Sequence, residues 1–73
     1  MSKPYLVIRV EAGKVGAIKE RSTWAEAVDA AVVIAHRDSK VPIKDIREEL
    51  EAQTNFIEDG SDIEVMIAQA DDD

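Results

Sequence analysis

Residues 23–38 read TWAEAVDAAVVIAHRD, and the period of this stretch decides how the rest of the chain must be arranged. Apolar side chains recur at spacings of three and four. Trp24, Ala27, Val28, Ala31 and Ala35 share one stripe, and Glu26, Asp29 and Arg37 take the opposite side. That pattern predicts an amphipathic helix. Thr23 and Glu26 fit a capping box at its start: the Thr hydroxyl accepts from the amide at the third helical position, and the Glu reaches back to the Thr amide. The stripe holds one large anchor, Trp24, among alanines, which suits close approach to a sheet.

Upstream, Tyr5 to Glu11 (YLVIRVE) alternates as a strand and is rich in β-branched residues. Leu6, Ile8 and Val10 are expected to point inward, with Tyr5, Val7, Arg9 and Glu11 on the other face. Ala12-Gly13-Lys14 reads as a turn, because Gly13 can take positive φ. Val15 to Glu20 then returns antiparallel, with Gly16 marking a bulge or an edge.

Downstream, Pro42 pushes Val41 out of the α region and ends any continuation of the main helix, yet it suits a first helical position. A second helix is expected over 42–54, with Ile43, Ile46 and Leu50 as a narrow apolar stripe and Asp45, Glu48, Glu49, Glu51 and Ala52 facing water. Lys44–Glu48 and Arg47–Glu51 have the spacing of helical ion pairs. Asn55-Phe56-Ile57 is expected to tuck an apolar side chain under the helices. A turn over 58–61 precedes a last strand over 62–70, with Ile63, Val65 and Ile67 inward and Glu64, Met66 and Ala68 outward. The expected fold is α+β, a small two-layer sandwich in the order β-β-α-α-β. It has a three-stranded sheet, both helices on one face and the first strand at the centre. One domain is expected over 1–73, ordered over 5–70, with loose ends at 1–3 and 71–73.

The chain has 73 residues, no Cys and a net charge of −7. Without Cys there are no disulfides and no thiolate metal sites. The apolar run Ala30 to Ala35 is too short to span a bilayer, and Arg9 and Glu11 interrupt the N-terminal apolar run, so neither a membrane partner nor a signal peptide is expected. The expected compartment is the cytoplasm. The charge is uneven: residues 1–40 hold seven Lys/Arg against five Asp/Glu, and residues 41–73 hold two against eleven. Phosphate backbones would be repelled by so acidic a half, which argues against direct nucleic-acid binding.

Enzyme chemistry finds little footing. His36 is the only His, and its neighbours at helical spacing, Val32 and Val33, cannot orient it as a base. Glu58, Asp59, Asp62 and Glu64 lack the alternate-ligand spacing and closing Glu of a calcium loop. Gly13 and Gly16 are too close together for a phosphate loop and precede no helix start. No catalytic residue, metal or cofactor is expected, and the chain is read as non-enzymatic.

Two surfaces are candidates for binding. The sheet face away from the helices is expected to hold Tyr5, Val7, Val15, Ala17, Met66 and Ala68, rimmed by Arg9, Glu11, Lys19 and Glu64, a mixture of types enriched at interfaces. The second helix offers Asp45, Glu48, Glu49 and Glu51 as a negative surface. In size, charge and architecture the chain resembles the compact acidic proteins encoded by phages and mobile elements. That resemblance implies an inhibitor or accessory factor acting on a basic, nucleic-acid-handling host protein complex. The alternatives are a structural homodimer or subunit without inhibitory role, and a nucleic-acid charge mimic acting through the second helix.

Overall fold

A hairpin built on two left-handed residues opens the fold. In the computed structural model, which describes residues 4–58 and 60–69, strand β1 (Tyr5–Glu11) turns at Ala12 and Gly13 into β2 (Lys14–Arg21). Both turn residues have positive φ, 52° and 80°, the conformation a two-residue hairpin loop with matching strand twist requires. Helix α1 (Trp24–Arg37), helix α2 (Ile43–Gln53), strand β3 (Asn55–Ile57) and strand β4 (Ile63–Gln69) follow. The sheet order is β2-β1-β4-β3, and every neighbouring pair is antiparallel. β1 is therefore central, between β2 and β4, as expected. The loose ends expected at 1–3 and 71–73 lie outside the described residues, as do Asp59 and Ala70.

The sheet has four strands among the described residues, not three. The segment Asn55–Ile57 pairs with β4 at its outer edge. Thr54 makes this possible by taking a left-handed conformation at φ 61°. Its amide donates to the Leu50 carbonyl at 2.9 Å, closing α2, and its carbonyl accepts from Ile67 at 2.8 Å, starting the ladder. Phe56 is buried beneath the helices while Ile57 is exposed, so the expected tuck falls to Phe56.

The second correction concerns the faces of β1. Val7 is fully buried and lies opposite Ile67, and Arg9 lies opposite Val65. Since directly opposed residues share a face, Tyr5, Val7 and Arg9 point to the helices, and Leu6, Ile8 and Val10 to the open side. A strand apolar on both faces does not fix its own parity. The buried pair Val65 and Ile67 on β4 fixes it, and these two residues do point inward as expected.

The core consists of Val7, Phe56, Val65 and Ile67 from the sheet, Ile46 and Leu50 from α2, and a stripe along α1. Ala27, Ala31 and Ala35 of that stripe are buried, and their small side chains bring α1 close to the strands. Trp24 is only half-buried: its ring packs edge-on against Tyr5 at 5.8 Å between centroids. It closes one end of the core and is not its centre. Ile43, expected on the buried stripe of the second helix, is exposed.

Local signals set the helix ends. The Glu26 amide donates to Thr23 Oγ1 at 3.2 Å, and Thr23 Oγ1 donates to Glu26 Oε1 at 3.1 Å. The cap forms, with the carboxylate returning to the hydroxyl and not to the amide. Thr23→Ala is expected to cost about 1 kcal/mol and to lower Tm by about 4–8 °C, read in a thermal melt. Pro42 caps α2 with an extended ψ of 145° and stands just before the first helical residue. Arg47 reaches across to Asp29 of α1 at 2.8 Å, and neither Lys44–Glu48 nor Arg47–Glu51 forms among the described residues. An exposed pair of this kind contributes little. No helix among the described residues is long and apolar enough to cross a membrane.

Candidate functional site

A bulge in β2 decides what the open face of the sheet presents. The register runs Arg9↔Ala17 and then Val10↔Val15, leaving Gly16 unpaired. In a regular strand Val15 and Ala17 would share a face. The extra residue puts Val15 with Val10 on the open side and Ala17 with Arg9 on the helix side. Gly16 also leaves room for the Arg9 side chain, because a Cβ there would lie 3.3 Å from Arg9 Nη1.

Much of the open face is consequently apolar, with Glu20, Glu64 and Asn55 as its polar members. Ile18, Ile8 and Met66 lie in one row, continued by Asn55 on β3. Val15, Val10, Glu64 and Ile57 form a second row. Ile18 is 58% exposed, Val15 60% and Ile57 54%, so the β2 ends of both rows and the β3 end of the second stand in water. Asn55 Nδ2 donates to Glu64 Oε2 at 2.9 Å, which holds the one carboxylate within the rows against a neighbouring strand.

Of the side chains expected on this face, Val15, Met66, Ala68 and Glu64 are there. Tyr5, Val7, Arg9, Glu11, Ala17 and Lys19 are not, since all six share the helix-side parity of β1 and β2. Val7 is core and Tyr5 supports Trp24. Arg9 Nη1 meets Glu11 Oε1 at 3.0 Å and Arg9 Nη2 meets Asp38 Oδ2 at 3.0 Å, so this side chain ties β1 to the end of α1. Hydrogen bonds to Glu11 first, and then to Asp38, raise the Arg9 pKa above its ordinary value. Lys19 lies beside Arg21 and Arg37, against α1. Leu6, Ile8, Val10, Ile18, Glu20, Asn55 and Ile57 are the open-face residues that sequence alone did not place. The signal that fixes this parity is the buried pair Val65 and Ile67 on β4, carried to β1 through the cross-strand register.

The acidic residues of α2 divide in the same way. Asp45, Glu48 and Glu49 line a groove of about 430 Å³ between α2 and β3, joined by Glu58 from beyond the strand. Val41, Ala52, Phe56 and Ile57 supply its apolar wall. Glu51 is exposed but does not line it. All charged side chains lining the groove are carboxylates, so its potential is negative. Basic side chains gather at the opposite edge of the sheet, where Lys19, Arg21 and Arg37 line a shallow surface between β2 and α1.

His36 is exposed at the end of α1. No group of three or more metal-ligating side chains occurs among the described residues, and no buried side-chain polar atom among them lacks a hydrogen bond. Compared with known protein families, curated proteins and solved structures, the chain matches none.

Proposed function

We propose that this chain is a non-enzymatic protein-binding module that anchors a basic protein partner on the open face of its sheet. The observation that carries this reading is the apolar row Ile18–Ile8–Met66, flanked by Val15 and Val10, left uncovered by both helices. Contiguous apolar surface on so small a domain is a marker of association. Anchoring falls to the sheet because apolar side chains gain from leaving water, whereas lone carboxylates lose by it. The acids of α2 contribute to the encounter: they attract a positively charged partner over a distance set by ionic strength. A nucleic-acid-handling protein has the basic surface this pairing needs. A chain that occupies such a surface acts as its inhibitor or accessory factor.

Ile18→Lys and Met66→Lys place charges on the open face without entering the core. Ile18→Lys is expected to shift stability by about 0.5 kcal/mol or less and Met66→Lys, half-buried like Ile8, by about 1 kcal/mol, and each to abolish association. Sedimentation of the purified variants, with capture by wild type and variants compared side by side, checks this. If the captured set is the same for all three proteins, the sheet face is not the anchor. If wild type sediments as a dimer and both variants as monomers, a second copy is the occupant, which overturns the hetero-partner reading.

A further inference from the structure

The groove beside α2 runs along an unpaired strand edge, and that coincidence defines a second binding surface. Ile67 donates to Thr54, so Thr54 and Ile67 are a hydrogen-bonded pair. Antiparallel alternation makes Phe56 and Val65 the next such pair, and it turns the amides and carbonyls of Asn55 and Ile57 away from β4. Among the described residues, no backbone hydrogen bond outside the ladders uses these outward groups. β3 is the last strand of the sheet on this side. An exposed edge of this kind is a template for another strand.

We propose that this groove receives an extended basic peptide segment, which adds to β3 as a further strand. Strand addition supplies main-chain hydrogen bonds, and alternate side chains supply selectivity. Side chains of the added strand that point to the helix layer enter a groove walled by Phe56 and Ala52 and rimmed by Asp45, Glu48, Glu49 and Glu58. Lys fits there in both parts, with its aliphatic stem on the apolar wall and its ammonium among the carboxylates. Side chains on the other parity extend the apolar row ending at Ile57. The opposite edge of the sheet is unsuited to the same ligand, because Lys19, Arg21 and Arg37 flank it and the bulge at Gly16 disrupts its hydrogen-bonding register. The same bulge disfavours β2 of a second copy as the occupant.

The test uses a fluorescein-labelled, end-capped peptide of alternating Lys and Val as the probe, with the full chain and fluorescence anisotropy. Two further probes carry backbone N-methyl groups, on every Val or on every Lys. An antiparallel added strand turns the Val amides to β3 and a parallel one turns the Lys amides. One methylated probe is therefore expected to bind at least about tenfold more weakly and the other to bind normally. Glu48→Gln with Glu49→Gln is expected to slow association about tenfold at low salt, and Glu51→Gln to change it less than about twofold. Gln keeps the helix. Hydrogen exchange at Asn55 and Ile57 should slow with the probe bound. Equal binding of all three probes to wild type overturns the proposal, whatever the variants do. So does protection along β2 in place of β3, or an equal loss from Glu51→Gln. Ile18→Lys, at the far edge of the sheet, is expected to bind the probe as wild type does. Failure of the open-face reading is thereby separable from failure of this one.

Discussion

Val7→Lys is expected to leave the chain unfolded at room temperature, while Ile8→Lys, one residue along, leaves it folded. Val7 has no exposed surface, and it packs in a core with Ile67, Val65 and residues of both helices. A lysine there must bury an ammonium without a partner or drive the layers apart. No carboxylate belongs to that cluster. Either route costs several kcal/mol, against a total stability on the order of 5 kcal/mol for a domain of this size. Ile8 points the other way, in the row with Ile18 and Met66. Its ammonium stays in water and only its partial burial is lost, a change of about 1 kcal/mol. Far-UV circular dichroism of both proteins, followed by melts, reads the difference. A folded Val7→Lys beside an unfolded Ile8→Lys would reverse the faces of β1 and remove the apolar row on which the docking surface depends.

That pair of variants also marks where sequence reasoning reached its end. The span of β1 and the capped start of α1 follow from alternation, helical period and the Thr23–Glu26 pair, all local signals. So does the turn at Gly13. The inward set on β4 was legible because Glu64 stands against Ile63, Val65 and Ile67. β1 offered no such contrast: Leu6, Ile8 and Val10 form a more uniform apolar set than Tyr5, Val7 and Arg9, yet cross-strand register turns the second set inward. β3 was missed as a strand because three residues are too few to show alternation. Its pairing depends on the left-handed Thr54, which no composition rule marks. The acid surface on α2 was visible as charge. Its division, with Asp45, Glu48 and Glu49 lining the groove and Glu51 outside it, needed the position of β3.

Leu50→Ala is expected to destabilise the chain far more than Trp24→Ala, although Trp24 is the larger side chain. Leu50 and Ile46 are the largest of the fully buried side chains, and they are the two buried residues of α2. Removing a buried Leu side chain to Cβ costs about 2–5 kcal/mol, more where the surroundings cannot collapse. Collapse is limited here, because α2 is tied to the sheet through Thr54, which binds both Leu50 and Ile67. Leu50→Ala is therefore expected to leave a large unfolded fraction at room temperature. Trp24 keeps part of its ring in water and contacts Tyr5 edge-on. Its loss forgoes one aromatic pair and partial burial, about 1–2 kcal/mol by discounting the cost of a fully buried aromatic. Urea titrations of the two variants, followed by circular dichroism so that the missing Trp does not matter, give both values. Equal midpoints would mean that Trp24 is the anchor of the core. They would also mean that α2, with the groove it builds against β3, is a looser attachment than its buried Ile46 and Leu50 require.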